Sequence, residues 1–285
     1  MTETDGGAPA APAGVDIDID KPSAARMYDW YLGGSHNWAV DREFGKQVEQ
    51  LMPQVKPVAR QNRAFMNRAV IAALEAGIRQ FVDLGSGVPT VGNVHEVVRD
   101  HLPTGERARV LYVDYEPVAI AHATVILEQD DATDWAGIAH HDMRDPDAVL
   151  EDPITEELID FTQPVCLLMI AVLHFVGGDD QPNELVESYR ERLAPGSWPA
   201  LTHATAEGVP EPEASAGRRV VAAYANTSNP MWLRNRADVE PWFGDWKMIE
   251  PGLTRATDWR PDGELDEVDA VARPYIWAGV AEKPA

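Results

Sequence analysis

The run PVCLLMIAVLHF at residues 164–175 is apolar on both parities until it reaches His174, so a strand built from it has no face to give to water. Such a strand must be covered on both sides, as an inner strand of a parallel sheet is when helices lie above and below it. The neighbouring sequence offers that setting. QFVDL (80–84), ARVLYVD (108–114), AGIAHHD (136–142) and SWPALTHAT (197–205) read as further short strands, and helical periodicity fills the intervals at 93–101, 117–128 and 182–193. Strand alternating with helix predicts an α/β fold with a doubly wound parallel sheet. The end of the chain departs from that order. After a helical insert at about 212–243, WKMIEPG and YIWAGVAE follow each other with no helix between them, so at least one of these strands is expected to run antiparallel.

Upstream of the first strand, Ser23 is an N-cap candidate for AARMYDWYL, which Gly33 and Gly34 stop, and a longer helix fits 57–76. Residues 1–20, rich in Ala, Pro and Gly, predict a disordered tail and carry no basic and apolar segments of a signal peptide. From 21 to 285 no linker or repeat interrupts the pattern, so one domain is expected, with a lid segment at 22–43 and an insert at 206–243 after the fifth strand. The longest apolar run is too short to cross a bilayer. A single cysteine, Cys166, rules out an internal disulfide and suits a reducing cytoplasm, where it serves as a small buried hydrophobe. Acids outnumber bases 47 to 24, for a formal charge of −23, which disfavours nucleic acid and anionic membrane surfaces as partners. Hydrophobic and charged fractions of 45% and 25% are ordinary and leave a homodimer open.

The stretch FVDLGSGVPTVGNVHE (81–96) places a glycine loop at the carboxyl end of the first strand, where open α/β sheets bind ligands. A triphosphate loop would need a Gly-Lys-Ser/Thr sequence, which is missing. A dinucleotide loop would end on a third glycine, but that position is Thr90. Asp83, two residues before Gly85, would also repel a pyrophosphate, whereas it would attract the ammonium of a methionine moiety. The order Asp-x-Gly-x-Gly therefore favours S-adenosylmethionine. Asp114, at the end of the second strand, can accept both ribose hydroxyls, with Glu116 as a competing choice. In HHDMRD (140–145), Asp142 can accept from the adenine amino group, while Met143 offers a backbone N–H and a side chain to cover the purine.

These features resemble the class I S-adenosylmethionine-dependent methyltransferases over residues 81–205, including AVLHFV (171–176) after the fourth strand. The resemblance implies a Rossmann-like seven-stranded sheet, mostly parallel, with an antiparallel terminal strand and helices on both faces. A closer resemblance is to a bacterial family of S-adenosyl methyltransferases long catalogued as a domain of unknown function. Its marks are PSAARMYDWYLGGSHNWAVDRE (22–43), NRAFMNRAV (62–70), DLGSGVPTVGNVHEV (83–97) and VDYEPVAIAHA (113–123). It implies the fold and the cofactor but no substrate. One departure from the general pattern is Pro89, where a third loop glycine usually falls. Pro89 fixes φ and removes an N–H, so Thr90 and Asn93 are the candidates to replace the lost donor. Tyr115 and Ala171 complete the cofactor candidates.

A sulfonium is already an activated methyl donor, so catalysis is chiefly alignment and exclusion of water. A base is needed only when the acceptor must lose a proton. His174 is the best candidate, with His95 behind it. No metal-binding spacing is present, and His140-His141-Asp142 reads as a strand end. Tyr28, Tyr31, Gly33 and Gly34 are lid and substrate candidates, and YANTSNPMW (224–232) is a candidate opposite wall for a flat or apolar acceptor. The expected activity is methyl transfer to a small-molecule O, N or C acceptor. The rival is a non-catalytic S-adenosylmethionine-binding sensor, and a nicotinamide oxidoreductase is disfavoured by Asp83.

Overall fold

The structure is a computed structural model describing residues 20–90, 92–225 and 227–285. The tail expected at 1–20 lies, apart from Asp20, outside the described residues. Three helices precede the sheet: α1 (Ala24–Tyr31), α2 (Ala39–Leu51) and α3 (Val55–Glu75). Alternation then begins with β1 (Gln80–Leu84), α4 (Val94–His101), β2 (Arg109–Asp114), α5 (Pro117–Gln129) and β3 (Ala136–His140). Two short helices, α6 (Pro146–Leu150) and α7 (Pro153–Leu158), lead to β4 (Cys166–Met169), α8 (Pro182–Arg192) and β5 (Trp198–Ala204). The chain closes with α9 (Glu213–Tyr224), α10 (Arg236–Val239), β6 (Lys247–Met248), β7 (Thr254–Arg255), α11 (Glu267–Ala270) and β8 (Ile276–Glu282).

The sheet order is β3-β2-β1-β4-β5-β8-β6, with β7 also paired to β8. Strands β1 to β5 pair in parallel, and β8 runs antiparallel to β5, β6 and β7. The doubly wound sheet with an antiparallel terminal strand is thus observed, with one refinement. β6 meets Glu282 and Ala281 of β8, and β7 meets Ala278 and Trp277 further along the same edge. Between them the edge strand breaks opposite Gly279. A Cβ there would come within 2.9 Å of Phe243 Cζ, so this close approach requires glycine. The seven-strand path therefore holds, with its last strand in two pieces.

Alternate residues of the inner strands enter two different cores. Phe81, Val110, Cys166, Leu168 and Ala200 pack with α3 and α4 on one face. Val82, Leu111, Leu167, Met169 and Leu201 pack with α8 and Trp242 on the other. This double burial explains why the run at 164–175 is apolar throughout, but only its first part is strand. After Met169 the chain turns through Ala171, at φ 56°, into a single 3-10 turn at Leu173–Phe175. The sheet edge is reached at that point, and the backbone must leave the ladder to form the rim of a cavity.

The sequence reading did not anticipate α2, whose first five residues fall in the expected lid segment. Its buried stripe is Asp41, Gly45 and Val48, a helical spacing with one apolar side chain. Gly45 is where Trp30 of α1 packs, since a Cβ there would meet Trp30 Cε3 at 2.6 Å. Asp41, fully buried, accepts from Ser23 N (3.0 Å), Arg26 Nε (2.8 Å) and Trp38 N (2.8 Å). Ser23 precedes α1 as expected, yet its hydroxyl does not cap that helix. It donates instead to Glu116 Oε2 at 2.7 Å. Because Arg26 is buried beside Asp41, Asp41→Ala is expected to destabilise the protein by about 3 kcal/mol. Urea unfolding at neutral pH measures this, and a loss below about 1 kcal/mol would show that the ion pair contributes nothing net to the join between α1 and α2.

Candidate active site

Strand order reverses between β1 and β4, and a cavity opens at the carboxyl ends of these strands, where open α/β sheets place their ligands. The loop after β1 turns through Gly85 (φ 66°) and Gly87 (φ 68°). Gly85 admits no side chain, since a Cβ would lie 2.3 Å from Val172 Cγ2 on the loop after β4. Asp114, 6% exposed at the end of β2, ties the loops together. Its Oδ2 accepts from Gly87 N at 2.7 Å and its Oδ1 from Glu116 N at 2.8 Å. Ala171, one of three non-glycine residues with positive φ among the described residues, is steadied by its N–H donating to Thr202 Oγ1 of β5 at 2.8 Å.

The cavity offers about 210 Å³ to the centres of water-sized molecules, well beyond the roughly 10–15 Å³ that one water needs on that measure. Its two ends differ. Asp83, Gly85, Gly87, Asp114 and Tyr115 line one end, with His141 and Met143 beyond them. The other end is an apolar chamber between α1, α2, α3 and α9, with Tyr31, Val48, Met52, Val58, Val220 and Tyr224 in its wall. Ala171 and His174 of the loop after β4 line the same cavity, as do Tyr28 of α1 and Met231 of the segment after α9.

Both acids are destabilised as anions. Burial pushes Asp83 up to about 7, against the pull of Arg63 and with Asp114 adding to the rise. Asp83 has no hydrogen-bond partner among the described residues. Burial likewise raises Asp114 to about 6, opposed by the N–H bonds from Glu116 and Gly87. An unpartnered buried carboxylate facing a cavity suits a cationic ligand atom, so the donor set fits the ammonium of a methionine moiety and resists a pyrophosphate.

His174 is 8% exposed, and burial, then His203 and the charge of Arg234, hold its pKa well below the ordinary imidazole value. Its ring is therefore neutral, and Nδ1 is buried with no partner. The 3-10 turn that carries it is anchored by Arg234, whose Nη2 donates to Val176 O at 2.8 Å and whose Nη1 donates to His203 Nε2 at 2.9 Å. His95 lies elsewhere. It bonds Tyr112 Oη at 2.7 Å and Asp130 Oδ2 at 3.1 Å, away from the cavity lining.

α1 covers the acidic end of the cavity and is latched there. Glu116 accepts from Ser23 and from Arg26 Nη1 (2.7 Å), and Asn229 bridges Ala24 N (3.1 Å) to the Tyr115 hydroxyl. Tyr31 and Tyr224 meet through their hydroxyls at 3.3 Å, joining α1 to α9. Several residues expected at the site are not in its lining. Asn93 caps α4 through a reciprocal pair with Glu96, and its Oδ1 accepts from Thr90 N at 3.2 Å. Asp142 is held by Arg144, with Nε 3.0 Å from each carboxylate oxygen. Gly33 and Gly34 close the end of α1, where a Cβ on Gly34 would strike Asp29 and Thr90. The sequence reading missed Arg63, Asn62 and Ser86, all of which line the cavity.

The fold is shared with Rossmann-like methyltransferases. One such structure, the magnesium protoporphyrin IX methyltransferase of Synechocystis PCC 6803 with S-adenosylhomocysteine bound, aligns with a TM-score of 0.52 at 13% identity, over 86% of this chain and 95% of its own. Two solved proteins are much more similar. A candidate methyltransferase from Thermobifida fusca YX has a TM-score of 0.84 and 34% identity over 94% of this chain and 97% of its own. A DUF574 family protein from Streptomyces avermitilis MA-4680 has the same score and identity, over 94% of this chain and all of its own. No curated protein matches the sequence. The model of the S-adenosyl methyltransferase family matches residues 10–284, and the chain belongs to that family. It is thereby an S-adenosylmethionine-dependent methyltransferase. Among the described residues, no helix is long and apolar enough to cross a membrane.

The hydroxyl of Thr202 is the one acceptor for the Ala171 N–H. Thr202→Val, isosteric but unable to accept, is expected to cost about 1–3 kcal/mol in urea unfolding, while Thr202→Ser retains most of the stability. Equal losses in both variants would mean that packing and not the hydrogen bond supports the turn.

Proposed function

We propose that residues 21–285 act as one cytoplasmic domain that methylates a small, largely apolar acceptor, with α1 as a fixed roof and the segment after α9 as the opposite wall. The single observation behind this reading is that one cavity joins the acids Asp83 and Asp114 to an apolar chamber. A sensor that merely held the cofactor would gain nothing from an adjoining apolar chamber, which an acceptor requires. The formal charge of −23 argues against nucleic acid as the acceptor.

In this reading Asp83 receives the ammonium of the methionine moiety and Asp114 the ribose hydroxyls. Tyr115 and Met143 flank the adenine, and Ala171 turns the loop toward the sulfur. Bound S-adenosylmethionine supplies a methyl group on a sulfonium, which passes in line to the acceptor atom. The protein's contribution is to align the acceptor within the chamber and keep water out. His174 is the candidate base. Its depressed pKa keeps it unprotonated at neutral pH. Such a weak base suffices if the proton leaves after methyl transfer has made the acceptor acidic.

Calorimetric titration with S-adenosylmethionine, S-adenosylhomocysteine and NADH tests the cofactor site. We expect the two adenosyl ligands to bind, NADH not to bind, and Asp114→Ala to weaken the adenosyl ligands about tenfold or more. Tight NADH binding with no response to the others would overturn the reading. The pH dependence has a definite sign. Asp83 titrates near 7 in the free protein, and an ammonium ligand needs it ionised. S-adenosylhomocysteine affinity should therefore fall as pH drops from 7.5 to 5.5, and Asp83→Asn should bind weakly with a flatter profile. An unchanged profile in Asp83→Asn would remove Asp83 from ammonium recognition.

A further inference from the structure

The backbone amides of Gly85, Ser86 and Gly87 in the glycine loop are committed. Gly85 N and Ser86 N both donate to Val113 O, at 2.8 and 3.1 Å, and Gly87 N donates to Asp114 Oδ2 at 2.7 Å. None of these three N–H groups is free for an anion, although the residues line the cavity beside Asp83. The amino-acid end of S-adenosylmethionine carries two charges, however. Once its carboxylate leaves water it needs donors, and charged ones serve best.

The lining of the cavity contains four acids, Asp83, Asp114, Glu116 and Glu213, and one cationic side chain, Arg63 of α3. Within 4.0 Å Arg63 has no carboxylate partner among the described residues. Arg26 and Arg60 nearby pair with Asp41 and Asp269, and Arg42 and Arg68 donate to carbonyl oxygens, whereas Arg63 has neither kind of partner among the described residues. The contacts of the Arg63 guanidinium are few: Met66 Sδ at 3.8 Å, the Tyr28 ring at 5.8 Å from its centre, and the Tyr28 hydroxyl, whose burial-raised pKa it draws down. Its charge nevertheless reaches Asp83, so the two groups are neighbours across the cavity without being bonded. Ser86 lines the same end, and its buried hydroxyl oxygen has no partner.

We propose that Arg63, assisted by the Ser86 hydroxyl, receives the α-carboxylate of S-adenosylmethionine while Asp83 receives its ammonium, so that α3 and the loop after β1 together clamp a free amino-acid group. The proposal rests on the reading of this cavity as the cofactor site. It assigns to side chains a task for which the amides of Gly85, Ser86 and Gly87 are not available. It also makes the site selective for ligands that keep the amino-acid moiety over those that have lost it.

The test compares S-adenosylhomocysteine with 5′-methylthioadenosine, which has the adenosine and the sulfur but neither amino-acid charge. Both are titrated calorimetrically into the full chain and its Arg63→Ala, Arg63→Lys and Ser86→Ala variants. Arg63→Ala should weaken S-adenosylhomocysteine tenfold or more and leave methylthioadenosine within twofold. Arg63→Lys should recover part of the loss, since it restores the charge but not the fork. Ser86→Ala should show a smaller loss of the same selectivity. Undiminished S-adenosylhomocysteine binding in Arg63→Ala would overturn the clamp and leave Arg63 free to meet an anionic acceptor. An equal loss of both ligands would also overturn it, by making Arg63 a structural residue. Wild-type protein that binds neither ligand would instead overturn the cofactor reading itself.

Discussion

Two backbone amides, from Gly87 and Glu116, converge on the buried carboxylate of Asp114, and the shape of the cavity depends on that convergence. It draws the loop after β1 against the turn after β2, which positions Asp83 and Gly85 beside Asp114. It also aims Glu116 outward, where Ser23 and Arg26 of α1 reach it. The roof over the cavity is thus registered on the floor through one acid and its neighbour two residues on. Removing the charge from water is unfavourable, as the elevated pKa of Asp114 records. The geometry persists because the amides would be unsatisfied without it.

The electrostatics of the lining follow from the same economy of donors. Four acids against one arginine give the cavity a negative potential, which a sulfonium with a zwitterionic tail complements and a pyrophosphate does not.

The alternation of strands and helices was legible because the inner strands are covered on both faces and read as continuous apolar runs. Asp83 and Asp114 were legible because an acid at a strand's carboxyl end stands out from such a run. What escaped was structure whose burial is polar. The inward stripe of α2 is an acid, a glycine and a valine, so its periodicity carries almost no hydrophobic signal. Arg63 lies about 20 residues before Asp83 on a helix whose apolar spacing drew the reading, and only the tertiary fold brings it into the same lining. Asn93 illustrates the reverse case. With Glu96 three residues on, it spells a helix start, and that local signal outweighed the search for a cofactor donor after Pro89. Asp142 was claimed by Arg144, a neighbour two residues away in the same motif.

The apolar chamber is walled by α1 to α3, which precede the sheet, and by α9 and the segment after it, which follow β5, whereas the acids and glycines at the other end come from the strand ends and loops of the sheet, joined there by Arg63 of α3. If the chamber takes the acceptor as proposed, the two tasks are written in largely separate stretches of the gene, with Arg63 of α3 shared between them. Descendants of such a chain can trade one acceptor for another by revising the walls, while the sheet and its glycine loop stay under unbroken selection for a single donor.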